Sequence, residues 1–277
     1  MGSSLGEKWL QTANGRICYF VNDSFKGRPT VILLHGLSGN HTTWLEAEQI
    51  LKEFNLNYLM PDLRGHGYSD KTKRRSLYRY SVFTEDLKGI IQKENLSKVI
   101  LVGYSFGGFV ALDYAIKYPS SLAALVLISV NHVNPFRYRK INFLTWPTYY
   151  LMNLLAFLLL WQKRKRYHYF NQETERGYWS STFRGFTTMP VSINLWMLSE
   201  TANLDLRCEI EKISCPTLII KSSSDPFLSP REAEDMRRKI KDSGIFILKT
   251  PTHFLASRRQ EEVTNAIADF LKKKEII

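Results

Sequence analysis

Apolar residues along this chain fall into two alternating kinds of run. Thr30–Leu34, Leu56–Met60, Lys98–Val102, Ala124–Val130, Pro216–Lys221 and Ile245–Leu248 are short, aliphatic and β-branched, as strands buried on both faces are. Between them, Trp44–Phe54, Phe83–Glu94, Phe109–Tyr118, Pro230–Lys241 and Glu261–Lys274 read as helices. Lys8–Asn22 instead alternates apolar and polar residues around Asn14-Gly15, the signal of a two-residue hairpin at a sheet edge. Strand–helix alternation of this kind predicts right-handed βαβ units. The expected fold class is therefore α/β, with a mostly parallel twisted sheet flanked by helices.

The alternation lapses from Asn131 to about Thr201, where no strand–helix pair is evident. The expected organisation is a core formed by residues 1–130 and 202–277, with residues 131–201 inserted as a helical cap. Ile141–Trp161 carries no charge and has the length of a membrane span. Asn142, Thr145, Pro147, Thr148 and Asn153 interrupt it, and one crossing here would put Ala124–Val130 and Pro216–Lys221 on opposite sides of a bilayer. An apolar cap helix is the better expectation, either lining a substrate site or lying on a membrane surface.

Composition adds less. The 277 residues carry a formal charge of +12, clustered at Lys71–Arg75, Arg137–Lys140, Lys163–Arg166, Arg237–Lys241 and Lys272–Lys274. No nucleic-acid motif accompanies that charge, so no nucleic-acid partner is expected. Its other uses are contact with anionic lipid and a solvated face that aids solubility. Three cysteines, Cys18, Cys208 and Cys215, make no disulfide framework. No secretory signal is visible, and Gly6 departs from the myristoylation pattern that Met1-Gly2 begins. The expected location is cytoplasmic, with peripheral membrane association as the addition the charge allows.

The chemistry-bearing stretch is Gly103-Tyr104-Ser105-Phe106-Gly107-Gly108, lying between a strand and a helix. A serine on such a strained turn presents its hydroxyl away from the sheet, with helix N–H groups close behind it. A hydroxyl becomes a useful nucleophile when a base takes its proton and a carboxylate orients that base. With an elbow serine the order is serine, acid, histidine. His253 alone among the histidines follows the last strand, and Asp225 follows the strand before it. No histidine pair has metal-ligand spacing on one helix, and the Gly65/Gly67 and Gly107/Gly108 pairs do not make a phosphate loop. No metal and no cofactor are expected.

Together these residues resemble the α/β-hydrolase fold superfamily, specifically its capped serine esterases and lipases of the monoacylglycerol lipase kind. His35-Gly36 resembles the oxyanion loop, Asp62–Ser69 the D-x-R-G-H-G-x-S turn, and Gly103–Gly108 the elbow; Tyr118-Pro119, Ser224-Asp225-Pro226 and the His253 loop complete the likeness. Thr252 stands where the family usually has glycine. The resemblance implies Ser105 as nucleophile, Asp225 as orienting acid, His253 as base, and the Leu37 and Phe106 amides as the oxyanion hole. It implies substrate contacts from Leu37, Tyr104, Trp146, Leu155 and Leu158, and a small-molecule ester or lipid as substrate, with medium- to long-chain acyl groups expected. A serine at the elbow sets the chain apart from the dehalogenase and epoxide hydrolase branches, which carry aspartate there. C–C bond, lactone or amide hydrolysis, perhydrolysis, acyl transfer and a non-catalytic receptor or scaffold are the alternatives.

Overall fold

The computed structural model describes residues 5–135, 145–162 and 188–277. The basic groups 137–140 and 163–166, residues 141–144 of the uncharged stretch, and His168 lie outside the described residues. Eight strands form one sheet: β1 (Gly6–Thr12), β2 (Gly15–Asn22), β3 (Thr30–Leu34), β4 (Asn57–Pro61), β5 (Val99–Tyr104), β6 (Leu122–Ile128), β7 (Thr217–Ser222) and β8 (Ser243–Leu248). Their spatial order is β1-β2-β4-β3-β5-β6-β7-β8. β1 and β2 pair antiparallel, β2 joins β4 antiparallel, and β3 through β8 are parallel to their neighbours. The hairpin turn falls one residue earlier than the sequence suggests: Thr12 pairs with Gly15, so Ala13 and Asn14 form the loop. Gly15 closes the ladder at φ 119°, which suits a residue without Cβ.

Strands β3, β4, β5 and β7 are buried at every position, because helices cover both faces. Alternate side chains serve opposite layers. Ile32, Leu34 and Leu101 point into a cluster with Phe83 and Leu87 of α2 (Tyr80–Lys93) and Val110 of α3 (Phe106–Lys117). Val31, Leu33, Ile100 and Val102 point to Leu51 of α1 (Ala47–Glu53) and to residues of a C-terminal helix, Gln260–Lys273, among them Val263 and Ile267.

Between β6 and β7 lie α4 (Thr145–Leu158) and α5 (Val191–Ala202), packed against each other. Helix α5 reaches the core through Trp196, which stacks on Tyr78 with ring centroids 5.8 Å apart. α6 (Pro230–Lys239) starts with Pro230 behind a reciprocal capping box of Ser229 and Glu232. The short α7 (Leu255–Arg258) and α8 (Gln260–Lys273) end the chain. Among the described residues no helix is long and apolar enough to cross a membrane.

After β3 the chain adds β4 on one side and β5 on the other, so the sheet reverses its direction of growth there. The loops leaving β3 and β5 part at their carboxyl ends, and such a switch point opens a crevice.

Candidate active site

Ser105 sits at that crevice, at the junction of β5 and α3, with φ 50° and ψ −115°. Its backbone is locked on both sides: its N–H donates to Ile128 O (2.9 Å) and its carbonyl accepts from Gly108 N (2.9 Å). The turn is feasible because its flanks lack side chains. A Cβ on Gly103 would lie 2.6 Å from Gly107 O, and one on Gly107 would lie 2.5 Å from His35 O. Helix α3 begins at Phe106, and the first N–H groups of a helix have no intrahelical acceptor. Gly108 and Phe109 donate back to Ser105 O, and the positive end of the helix dipole lies at Phe106, beside the serine.

The loop after β3 is fixed by His35, which is fully buried. Its Nδ1–H donates to Gly36 O (2.8 Å), and its Nε2 accepts from Leu63 N–H (3.0 Å). One imidazole thus ties the loop bearing Leu37 to the glycine-rich turn after β4. Both bonds require the neutral ring, and burial pushes its pKa down to about 4. Asp62 anchors that second turn. It accepts from His41 N (2.7 Å), His41 Nδ1 (2.9 Å) and Tyr68 N (2.7 Å). Burial pushes the Asp62 carboxyl up, but its bond to His41 and the charge field around it bring it below the ordinary carboxylate range. Arg64 makes a paired, buried contact with Asp86 of α2 (2.6 and 2.8 Å), and His66 donates from Nδ1 to Arg64 O (3.0 Å). His35 and His66 thus hold backbone, and His41 holds the Asp62 carboxylate.

Across the crevice, Asp225 follows β7 and His253 follows β8. His253 Nδ1 lies 3.2 Å from Asp225 Oδ1 and 3.4 Å from Oδ2, and its Nε2 lies 3.2 Å from Ser105 Oγ. A carboxylate facing Nδ1 fixes the proton there, which leaves Nε2 as acceptor toward the serine hydroxyl. The Asp225 side chain is wholly buried. Burial raises its pKa, yet the His253 contact and the Phe227 N–H (2.9 Å) outweigh burial and hold the carboxyl below its usual value. Asn131 braces the acid loop by donating to Phe227 O (3.1 Å). Other carboxylates late in the chain are engaged at the surface, Asp205 with Arg207 and Asp242 with Lys274.

A cavity of about 160 Å³ opens over Ser105. Leu37, Phe106, Phe109, Leu198 and Phe227 give it walls of carbon. Ser105, Phe106 and Leu37 therefore share one site. The other expected substrate contacts need correction. Tyr104 is buried beneath the site, and its hydroxyl donates to His253 O (3.2 Å), because a strand residue next to the elbow serine points to the opposite face. Trp146, Leu155 and Leu158 are absent from the cavity lining and are 58%, 40% and 56% exposed. It is α5 that supplies Leu198 and Thr201 to the cavity.

Asn194 of α5 is a residue that the sequence pattern does not single out. Its Oδ1 accepts from Ser38 Oγ (2.6 Å), and Ser38 stands at φ 63° directly after Leu37. The only sequence signal is a polar residue within the apolar run of a helix.

A family model described as alpha/beta hydrolase fold matches residues 29–255. Among curated relatives, "Epoxide hydrolase 4" of Homo sapiens is 25% identical over 292 residues, covering 92% of this chain and 76% of that protein. "Proline iminopeptidase PfmaB" of Pestalotiopsis fici is 25% identical, covering 88% of this chain and 92% of that protein. Among solved structures, an esterase from Exiguobacterium antarcticum superposes with a TM-score of 0.73 at 20% identity, covering 96% of this chain and 100% of that one. At that identity the likeness is one of fold.

Proposed function

Since this chain belongs to the alpha/beta hydrolase fold family, we propose that it is a serine hydrolase that cleaves carboxylic esters with an apolar acyl group. The observation that carries this reading is the continuous hydrogen-bonded path from Asp225 through His253 to Ser105, ending at the floor of a carbon-walled cavity. Ser105 Oγ attacks the carbonyl carbon as its proton passes to His253 Nε2. Asp225 balances the imidazolium so formed. The tetrahedral oxyanion takes hydrogen bonds from the Leu37 and Phe106 amides, each a donor of roughly 3–4 kcal/mol in transition-state stabilisation. The ester C–O bond breaks, the leaving oxygen takes the proton from Nε2, and the alcohol departs. Water then attacks the acyl-serine, giving its proton to His253; the C–Oγ bond breaks and Oγ recovers the proton, releasing the acid.

Relatives named as an epoxide hydrolase and a proline iminopeptidase make substrate class the point to test. A hydroxyl nucleophile with a histidine base suits acyl transfer, and among the described residues no carboxylate lines the cavity. The experiment is covalent labelling with a fluorophosphonate, mapped by peptide mass spectrometry, alongside turnover of p-nitrophenyl esters. Label on Ser105, with turnover lost in Ser105→Ala at unchanged Tm, is the expected result. Turnover retained in that variant would refute the assignment.

A further inference from the structure

Of the eleven large apolar side chains that the described residues expose, eight lie between Trp146 and Trp161. Helix α4 buries Ala156 against its neighbour while Tyr150, Leu151, Leu154, Phe157 and Leu158 face outward. Apolar surface concentrated in this way marks a place of contact. The 14 described residues of α4 span about 21 Å, against the roughly 30 Å hydrocarbon thickness of a bilayer. Among the described residues no helix is long and apolar enough to cross a membrane, so contact along the length of α4 is the geometry considered.

The charge beside this face identifies what it meets. Lys73, Arg74, Arg75 and Arg79 are exposed on the segment that adjoins α4, and residues 71–79 include no acid. Arg75 is joined to the helix directly: its guanidinium lies 5.3 Å over the Tyr149 ring and donates to the Tyr149 hydroxyl. In the sequence, residues 137–170 likewise carry cations and no acid. An apolar helix flanked by cations is complementary to acyl chains beneath anionic headgroups. A second copy of this chain would bring two bodies of charge +12 together, with cations beside cations, which disfavours self-association through this face.

We infer that the outward face of α4, with the basic segment 73–79, is a docking surface for anionic phospholipid bilayers. Helix α5 lies between α4 and the cavity, so docking brings the cavity toward the lipid. That consequence, an apolar ester taken up from the bilayer, rests on the ester-hydrolase reading; the docking does not.

The test uses Ser105→Ala, so that hydrolysis plays no part, with vesicles of phosphatidylcholine alone or mixed with phosphatidylglycerol. Co-sedimentation is expected with the mixed vesicles at low salt, weak with phosphatidylcholine alone, and reduced as salt rises. Adding Leu154→Asp and Phe157→Asp should lower partitioning at least about tenfold, and Arg74→Gln with Arg75→Gln should flatten its salt dependence. A fluorophore on Leu154→Cys should shift to the blue only when anionic vesicles are added. A fluorophore already shielded in buffer would mean that this chain covers the face itself. Concentration-dependent dimerisation abolished by the Asp substitutions would assign the face to a second copy. Either result, or equal binding to both kinds of vesicle, overturns the inference.

Discussion

Replacing Asp225 by Asn probes the proposed chemistry most directly, because it removes one charge and almost no volume. In the parent, His253 becomes cationic when it takes the serine proton, with Nδ1 3.2 Å from Asp225 Oδ1. At an effective dielectric constant of about 20, two unit charges at that separation attract by about 5 kcal/mol. At about 1.4 kcal/mol per decade, losing that attraction in the transition state slows the reaction between about 10³- and 10⁴-fold. The amide also brings a wrong donor: an NH₂ in the place of Oδ2 sits 3.4 Å from Nδ1, and if the ring turns its proton away from it, Nε2 carries hydrogen and can no longer accept from Ser105. The assay is kcat on a p-nitrophenyl ester, with the rate of fluorophosphonate labelling as a second readout that needs an activated Ser105. Stability moves in its own way. Because the folded carboxyl is held below its ordinary value, its contribution is present above the unfolded pKa and lost as pH falls through the folded one. Asp225→Asn should therefore unfold with a flatter dependence on pH at the acid end. A folded Asp225→Asn protein with kcat and labelling within tenfold of the parent would refute the argument.

Acid sensitivity above that range should come from buried neutral imidazole. His35 is held at about 4 against an ordinary 6.5, so the unfolded chain binds its proton first; stability is complete above pH 6.5 and is lost as pH falls toward 4. Urea unfolding should show about 2 kcal/mol lost between pH 6.5 and about pH 5 from this group, and His35→Gln should lack that share; an identical pH slope in the variant would exclude it. Gly67→Ala tests the turn after β4. Its Cβ would lie 2.0 Å from Asp62 Oδ2, a carboxylate that three hydrogen bonds hold in place, at a backbone φ of 45°. A loss of about 3 kcal/mol or more is expected, seen as a fall in Tm of about 6–12 °C; a Tm within about 2 °C of the parent would show that Asp62 moves aside.

The sheet was legible because buried parallel strands are continuous apolar runs, and β3, β4, β5 and β7 prove buried at every residue. The elbow was legible because its chemistry is local: glycines must flank the serine, since a Cβ on Gly103 or Gly107 would lie 2.6 or 2.5 Å from a backbone oxygen. The positions of Asp225 and His253 followed from topology, since residues just beyond adjacent parallel strands must meet at one rim. The facing of α4 was not legible. A helix apolar on every side has no stripe to show which side is covered, so Trp146, Leu155 and Leu158 were assigned to a cavity that they do not line. The resemblance implies a substrate contact from Tyr104, although alternation along β5 sends its side chain to the other face. The Ser38–Asn194 bond joins residues 156 positions apart, and no local pattern reports such a pair.

Three of the site's loops are positioned by polar groups that the chain can hardly leave unpaired. His35 spends both ring nitrogens on two different loops, one bearing Leu37 and one beginning at Leu63. Ser38 sits in a backbone region unfavourable to serine and is held there by a side chain of α5. Asn131 fixes the carbonyl of Phe227, and the Phe227 N–H fixes the Asp225 carboxylate. These groups are buried or, at Phe227, half-buried, and an unpaired buried donor or acceptor costs about 1–3 kcal/mol, so displacing one loop breaks bonds in another. The inserted helices belong to this arrangement. Through Asn194, α5 grips the loop that carries the Leu37 amide, and through Leu198 it walls the cavity above Ser105. The insert therefore braces the Leu37 loop as well as walling the cavity, and displacing α5 would break the Ser38–Asn194 bond.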